Sequence, residues 1–405
     1  MLAPLRSWRL CLAVALIASQ MSCSSGSPVL ASPVHLGQLY MFASGRGWAF
    51  GLDVQHNTAI NVLLRTADGG RHWRNVTPVN GPPQASRPAV LDEDHAWLAR
   101  FARPGQVSVF RTSDGGGHWR ESLVNDSKLT VPDSLVDSHI MFIDRSHGWL
   151  LLQYGYGGDD QVSLYGTSDG GASWAVISNT DPLLGDGNAI PWQGSKTGIT
   201  FADVENGWLT AFSYRPKPLL YATHDGGITW MPVLYPDAPG VRPSQVISPT
   251  HFFTRTTGYF VIGGEQSLLF WTTDSGGTWT PEVVPTCCDV DFIDPNTGWA
   301  LGYTYSTDQS NADLWRTDDG GRHWRTEHHA MNAQSPDEVR QHFVTRLYSL
   351  DFASRKVGYL VRESRPVSLL ADVTASPSPP SGSSRLLTTV DGGATWSEVP
   401  YQVEL

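Results

Sequence analysis

Seven aspartates have the regular spacing that invites a chemical reading: Asp68, Asp114, Asp169, Asp225, Asp274, Asp319 and Asp391. Each stands two residues after a threonine and five before a tryptophan. Carboxylates serve as general acids, general bases and metal ligands, but such a site needs several groups converging on one point. The intervals between these aspartates are 46, 55, 56, 49, 45 and 72 residues, the length of one small structural unit each, so the carboxylates are kept apart. The motif Thr-x-Asp-x-Gly-x-x-Trp has a structural reading instead. Glycine supplies positive φ at a turn, a short carboxylate accepts hydrogen bonds from turn amides, and tryptophan seals the turn against apolar neighbours.

The histidines invite a metal reading, above all His323, His328 and His329. Zinc requires ligands from converging positions. His72, His118 and His323 occupy equivalent places just before Trp73, Trp119 and Trp324, so they are expected to decorate turns, and no metal or cofactor is expected. Cysteine chemistry is equally sparse. Of four cysteines, Cys11 and Cys23 lie near the N-terminus, leaving the adjacent pair Cys287 and Cys288, read either as two partly buried thiols or as a strained vicinal disulfide. There is no phosphate-binding glycine loop at a strand-to-helix junction and no nucleophile elbow.

The elements that hold these residues repeat with them. Before each motif stands a Gly-aromatic or Ala-aromatic pair: Gly47-Trp48, Ala96-Trp97, Gly148-Trp149, Gly207-Trp208, Gly258-Tyr259, Gly298-Trp299 and Gly358-Tyr359. Seven residues before that aromatic is an apolar residue, respectively Met41, Val90, Phe142, Phe201, Phe252, Phe292 and Phe352. These mark a second and a first strand. A third strand precedes each motif and carries Leu64, Phe110, Tyr165, Tyr221, Phe270, Trp315 or Leu387 two residues before the threonine, expected to form blade-to-blade contacts. The closing tryptophans Trp73, Trp119, Trp174, Trp230, Trp279, Trp324 and Trp396 open a fourth, as over 174–177 or 396–403. Helical periodicity is nearly absent. The expectation is an all-β, seven-bladed β-propeller of four-stranded antiparallel blades, with the motif at the turn from strand three to strand four. Ring closure by packing alone is expected, with a strand from before Leu39 joining the last sheet as the alternative.

Composition agrees. Of 405 residues, 40 are glycine, 27 proline and 16 tryptophan, and only 17% are charged, which suits a loop-rich β protein. Twelve of the tryptophans close motifs or mark second strands, so the enrichment is architectural; Trp192, Trp271 and Trp315 fall outside both sets, as does Trp8. The net charge of −11, without any run of Lys or Arg, excludes a nucleic-acid footprint. Arg6 and Arg9 precede an apolar run and then small residues ending at Cys23, the layout of an export signal. Residues 1–22 are read as a signal peptide, 23–34 as a flexible tether and 35–405 as the propeller. Lipidation of Cys23 is expected; ordinary signal cleavage competes with it because Gln20 sits where lipoprotein signals carry an aliphatic residue. The chain is therefore expected outside the cytoplasm, secreted or lipid-anchored at a bacterial envelope, touching membrane only through that lipid.

The repeated residues resemble the Asp-box, or BNR, repeat of sialidases, xyloglucanases and sortilin-type receptors, and most of all the photosystem II assembly and stability factor family. The resemblance covers nearly all the chain from Leu36 onward. It implies that the boxes mark fold, lie away from any active centre, and belong to a non-enzymatic binding propeller. A sialidase would further need three converging arginines, a Tyr with a Glu partner, and an early Phe/Tyr-Arg-x-Pro string. Phe101-Ala102-Arg103-Pro104 and Tyr214-Arg215-Pro216 do not match it. A xyloglucanase would need two apposed carboxylates and normally two propellers.

Turns between strands one and two and the boxes are short and uniform, whereas length varies at 154–160, 179–196, 235–247, 326–342 and 363–384. Ligand contact is expected on that long-loop face, around the axis, because variable loops on a rigid scaffold carry function. The Ser/Pro-rich insertion at about 363–384 is expected to stay disordered. Trp192 is a candidate contact for a sugar or protein, or else an anchor of its own loop. No catalytic residue is assigned. The reading is a monomeric, non-catalytic scaffold or assembly factor binding a protein or glycan. The alternatives are a sialidase-like or other glycoside hydrolase and a carbohydrate-binding lectin-like module.

Overall fold

A computed structural model describes residues 34–404 apart from 56–57, 79–85, 130–134, 155–160, 181–189, 214–217, 238–245, 264–266, 286, 306–309, 332, 334–339, 341–342 and 367–382. The fold is a seven-bladed β-propeller in which the strands of each blade run in chain order with antiparallel neighbours, the first sheet adding one strand from the far end of the chain. Contacts divide the chain into two compact units. One comprises the described residues of Pro78–Ala300 and Arg316–Arg325; the other comprises the described residues from Val34 to Thr77, of Leu301–Trp315 and from Thr326 on.

Strand ends coincide with the repeated residues. All seven first strands end on the apolar landmark from Met41 to Phe352, all seven second strands begin at the Gly or Ala of the following pair, and all seven third strands end on the box threonine. In blade five the first strand is broken into Val246–Ile247 and His251–Phe252, because Pro249 has no N–H for the ladder. The closing tryptophan, expected to open the fourth strand, lies within it only in the first blade; in the other six the strand begins one residue later, as Ala175–Asn179 does after Trp174. In the last blade the expected strand over 396–403 stops at Pro400. Ser397–Val399 completes that sheet, and Gln402–Glu404 crosses to pair in parallel with His72–Asn75 of the first blade. The first sheet thus gains a fifth strand from the other end of the chain, where closure by packing alone was expected. Tyr401 fixes the crossing by donating its hydroxyl to the carbonyls of Val34 and Ser384. The insertion is also narrower than read from composition, since Glu363 pairs with Ser384 and Ser364 with Ser383 in a regular ladder.

Within the first unit, blades are joined by one recurring arrangement. The second-strand tryptophan of a blade lies face to face on the first-strand phenylalanine of the next. Trp97 on Phe142, Trp149 on Phe201 and Trp208 on Phe252 have ring centroids 3.7, 3.8 and 3.9 Å apart. The box tryptophan of the receiving blade meets the same phenylalanine edge-on, as Trp174 meets Phe142 at 6.0 Å and Trp230 meets Phe201 at 6.2 Å. Such offset and T-shaped contacts suit the ring quadrupoles and add to the burial of large apolar area. Trp97 and Trp149 also donate their indole N–H to the box carbonyls of Gly170 and Gly226 in the next blade.

This packing explains the glycine before each second-strand aromatic. A Cβ added at Gly148 or Gly207 would lie 2.6 Å from the ring of Phe142 or Phe201, and the same collision holds at Gly258 and Gly298. In the second unit Phe352 covers Gly358, and Met41 covers Gly47, in the same way. Blade two is the exception that fits, because Val90 replaces the ring and Ala96 replaces the glycine. Third-strand side chains take part as expected: Tyr165, Tyr221 and Phe270 lie in clusters shared with the preceding blade, and in the second unit Leu64 does so. The residue one place earlier serves the opposite interface. Leu164 packs on the box glycine Gly227, Leu269 on Gly321 and, in the second unit, Leu314 on Gly393.

Gly207→Ala should cost about 1–3 kcal/mol in urea unfolding through overpacking against Phe201. Adding Phe201→Val should give a double variant less destabilised than the two single costs summed, the favourable coupling that Ala96 and Val90 already represent. Strict additivity would contradict this packing account.

Candidate functional site

The seven boxes are built alike. The threonine hydroxyl donates to aspartate Oδ1 at 2.7–3.0 Å and accepts the N–H of the box glycine four residues on. The residue before the tryptophan donates its amide to the same Oδ1 at 2.8–3.0 Å. Its side chain then engages Oδ2 at 2.6–2.7 Å, through Nδ1 of His72, His118 and His323 or the hydroxyl of Ser173, Thr229, Thr278 and Thr395. Both oxygens of every box aspartate are therefore engaged inside its own turn. The glycine demand is local too: Gly69 and Gly70 have φ of 75° and 87°, where a side chain is strained.

The turn between strands one and two lies beside the box on the same face. An amide of each box donates to a carbonyl of that turn at 2.8–3.0 Å in all seven blades, from Gly69 to Gly45 in the first through Gly392 to Lys356 in the last. Asp92, Asp144, Asp203 and Asp294 cap these turns by accepting two backbone amides each. In the first unit Arg145 reaches Asp92, and Arg255 reaches Asp203, at 3.5 Å. The turn face is a field of carboxylates satisfied locally.

These bonds set the charge state. The His118 amide and ring hold Asp114 at about 2, against an ordinary 3.8. The His323 amide does most at Asp319, and the Thr395 hydroxyl at Asp391, both again about 2. At Asp68 and Asp169 partial burial pushes upward, but the same kind of donors outweigh it and both end at about 2. A group of this kind stays ionised and neither gives nor takes a proton near neutrality.

The remaining histidines do not converge. His328 Nδ1 lies 3.0 Å from the Ala394 carbonyl, and His329 lies 3.5 Å from Asp313, while His323 serves its own box. Among the described residues no group of three His, Cys, Asp or Glu is placed to hold a metal ion. Cys287 and Cys288 open the first strand of blade six; their side chains, like Cys23, lie outside the described residues. Arg103 donates to Gln106 at a hairpin end, and Arg215 is outside the described residues. Most of the long-loop segments also fall outside them: 155–160, 181–189, 238–245, 334–339 and 367–382.

Trp192 is described. It is half-buried, in a short segment before the strand Ser195–Phe201 of blade four. That segment is braced from below. Lys196, 3% exposed, donates its Nζ to the carbonyls of Gln193 and Gly194 at 3.0 and 2.7 Å. Ile190 is buried on the other side of the indole in sequence. The brace holds an accessible aromatic surface on a fixed loop, a preorganised contact.

Sequence reasoning missed two residues of physical interest in the first unit. Asp126 is buried and accepts hydrogen bonds from the hydroxyls of Tyr154 and Tyr165 of the next blade; burial, and then the bond to Asp126, pushes both phenols above their usual range. His251 is buried against Phe253 and Tyr259, its Nε2 without a hydrogen-bond partner among the described residues. Burial pushes it down to about 4, with Asp291 opposing. Neither was distinguishable in the sequence: the partners of Asp126 come from the next blade, and the burial of His251 depends on how its own strands fold over it.

No protein-family model matches the chain, and no curated protein does either. Solved structures do. YCF48 from Cyanidioschyzon merolae is 18% identical, with 90% of this chain and 97% of that one covered and a TM-score of 0.50. YCF48 bound to D1 peptide is 18% identical over 86% and 94%, with a TM-score of 0.48. The GH74 xyloglucanase from Xanthomonas campestris is 15% identical over 91% and 68%, with a TM-score of 0.47. At these identities the likeness is one of fold.

Acid should destabilise the protein in two windows. For His251 the folded pKa lies below the unfolded one. The unfolded chain binds the extra proton between about 6.5 and about 4, and stability falls with pH there, by on the order of 3 kcal/mol in all. The box carboxyls are depressed, so their contribution is complete above about pH 4 and lost as pH falls toward 2. Denaturant midpoints measured against pH should show both, and His251→Leu should flatten only the upper one. Loss of the lower window in His251→Leu would contradict the assignment.

Proposed function

We propose that this chain is a non-catalytic binding propeller working outside the cytoplasm, where it holds a protein partner through its loop face. The observation that carries the proposal is Trp192, an accessible indole on a loop fixed by a buried lysine, opposite a turn face whose acidic groups are occupied by their own turns. Tryptophan on a preorganised loop supplies contact area at small entropic cost, the character of interface hot spots. Burial of the phenols Tyr154 and Tyr165 against Asp126 supports a structural rather than a nucleophilic role for that tyrosine and carboxylate grouping. An indole face also suits a pyranose ring, which keeps a glycan ligand as the second reading.

Trp192→Ala, compared at a temperature where its circular dichroism matches the wild type, should weaken capture of the envelope partner about 30-fold, the loss of roughly 2 kcal/mol typical of a hot spot. Retention of the same partners by Trp192→Ala would remove this site, and sugar release from sialosides or xyloglucan by the purified protein would replace the binding reading with a hydrolase. Binding to a glycan array, lost in Trp192→Ala, would favour the lectin reading.

The export part of the proposal has its own test. Metabolic labelling with an alkyne fatty acid should tag the wild-type chain and leave Cys23→Ala unlabelled; equal absence of label in both would restore ordinary signal cleavage.

A further inference from the structure

The box turns contain a chemical hazard that the fold itself requires. In each of them the residue after the aspartate has positive φ, between 70° and 83° at Gly69, Gly115, Gly170, Gly226, Gly320 and Gly392 and 61° at Ser275. Glycine is the residue suited to that place. The outcome is an Asp-Gly pair in every box but that of blade five. Such a pair rearranges unaided in a flexible chain, because no side chain on the glycine hinders its nitrogen from reaching the carboxyl carbon before it. The amide nitrogen attacks Cγ of the aspartic acid, an N–C bond forms, the C–OH bond breaks, and the hydroxyl leaves with the amide proton as water. Water then opens the five-membered imide, and opening at the backbone carbonyl leaves isoaspartate. The main chain is one methylene longer there, and the turn is lost.

Both reacting groups are engaged in this structure. The nitrogen that would attack donates its hydrogen to a carbonyl of the turn between strands one and two at 2.8–3.0 Å in all seven blades, as Gly115 does to Asp94. The carboxyl that would be attacked is tied at both oxygens. At Asp114, Oδ1 accepts the Thr112 hydroxyl and the His118 amide at 2.9 Å each, and Oδ2 meets Nδ1 of His118 at 2.6 Å. Loss of water needs the protonated acid. The amide and ring of His118 hold Asp114 at about 2 against an ordinary 3.8, which cuts the protonated fraction at neutral pH roughly 60-fold.

We infer that the Asp box has a second role: by tying the amide to one neighbour and the carboxylate to others, it protects its own Asp-Gly bond from conversion to isoaspartate. Each box aspartate is a modification site that the turn keeps closed. The threonine and the donor before the tryptophan are positioning residues for this protection, and His118 does for Asp114 what Ser173 does for Asp169 and Thr229 for Asp225. The protection belongs to the scaffold and is independent of what the loop face binds.

Peptide mapping of the purified protein aged at neutral pH, with isoaspartate located by fragment-ion mass spectrometry, tests the inference. Native protein should accumulate isoaspartate at the six pairs at least tenfold more slowly than protein held unfolded in urea. Thr112→Val combined with His118→Ala should raise the rate at Asp114 at least fivefold, while the other five pairs of the same sample keep the wild-type rate. If that double variant unfolds and all six rates rise together, His118→Ala alone decides, with a rise confined to Asp114 expected. His118→Ser keeps a donor for Oδ2 and should leave Asp114 at the wild-type rate. Box aspartates that isomerise as fast in the native as in the unfolded protein would overturn the inference. So would a folded His118→Ala chain whose Asp114 keeps the wild-type rate, or an equal rise in His118→Ser and His118→Ala.

Discussion

Everything else in this protein depends on an aromatic ring lying on a glycine. In each blade the first strand ends in a ring, or in Met41 or Val90 where the ring is absent. In every blade but the second, where Ala96 stands opposite Val90, that side chain occupies the space a Cβ would take on the second strand of its own blade. In blades three to five, with the glycine hidden beneath it, the outer face of the ring receives the tryptophan of the preceding blade and its edge meets the box tryptophan. Three aromatic side chains from two blades thus define one interface, and no member can change size alone. The local requirement for glycine and the long-range requirement for stacking are the same requirement.

The Asp box serves this arrangement from outside. Its hydrogen bonds close a turn that carries a tryptophan at a fixed angle, and the second box glycine leaves room for an aliphatic or aromatic side chain of the neighbouring blade, as Gly227 does for Leu164. The carboxylates are accordingly held ionised, on the surface, and without chemistry of their own. Loops of unequal length join the other ends of the strands, and Lys196 braces the one that bears Trp192.

Much of this was legible in the residues, because strand ends in a propeller fall where side chains must change direction. Phe142, Gly148 and Thr167 each end or begin a strand at the place their spacing indicates. The donor before the box tryptophan was half legible. His72, His118 and His323 are read correctly as turn residues, but the same part is played by Ser173, Thr229, Thr278 and Thr395, and the shared capacity to donate was the signal that united them. Pro400 was a visible break in a segment otherwise read as one strand. The reason for the glycine in Gly207-Trp208 was not legible, since it lies in the distance from a ring six residues earlier. The partner of Asp126 was hidden for a related cause, because Tyr154 and Tyr165 approach it from another blade. The candidate site was legible only as far as Trp192; the brace beneath it required coordinates, because a lysine in a polar segment ordinarily faces water.

The crossing of Gln402–Glu404 onto the first blade has a consequence for how the molecule comes into being. Gln402 pairs with His72 on the outer strand of the hairpin Thr58–Asn75, 330 residues earlier in the chain. At about 5–20 residues per second of synthesis, that hairpin waits on the order of 20–60 s with an open edge. The outer border of His72–Asn75 thus stays without its strand partner until Gln402–Glu404 has been made.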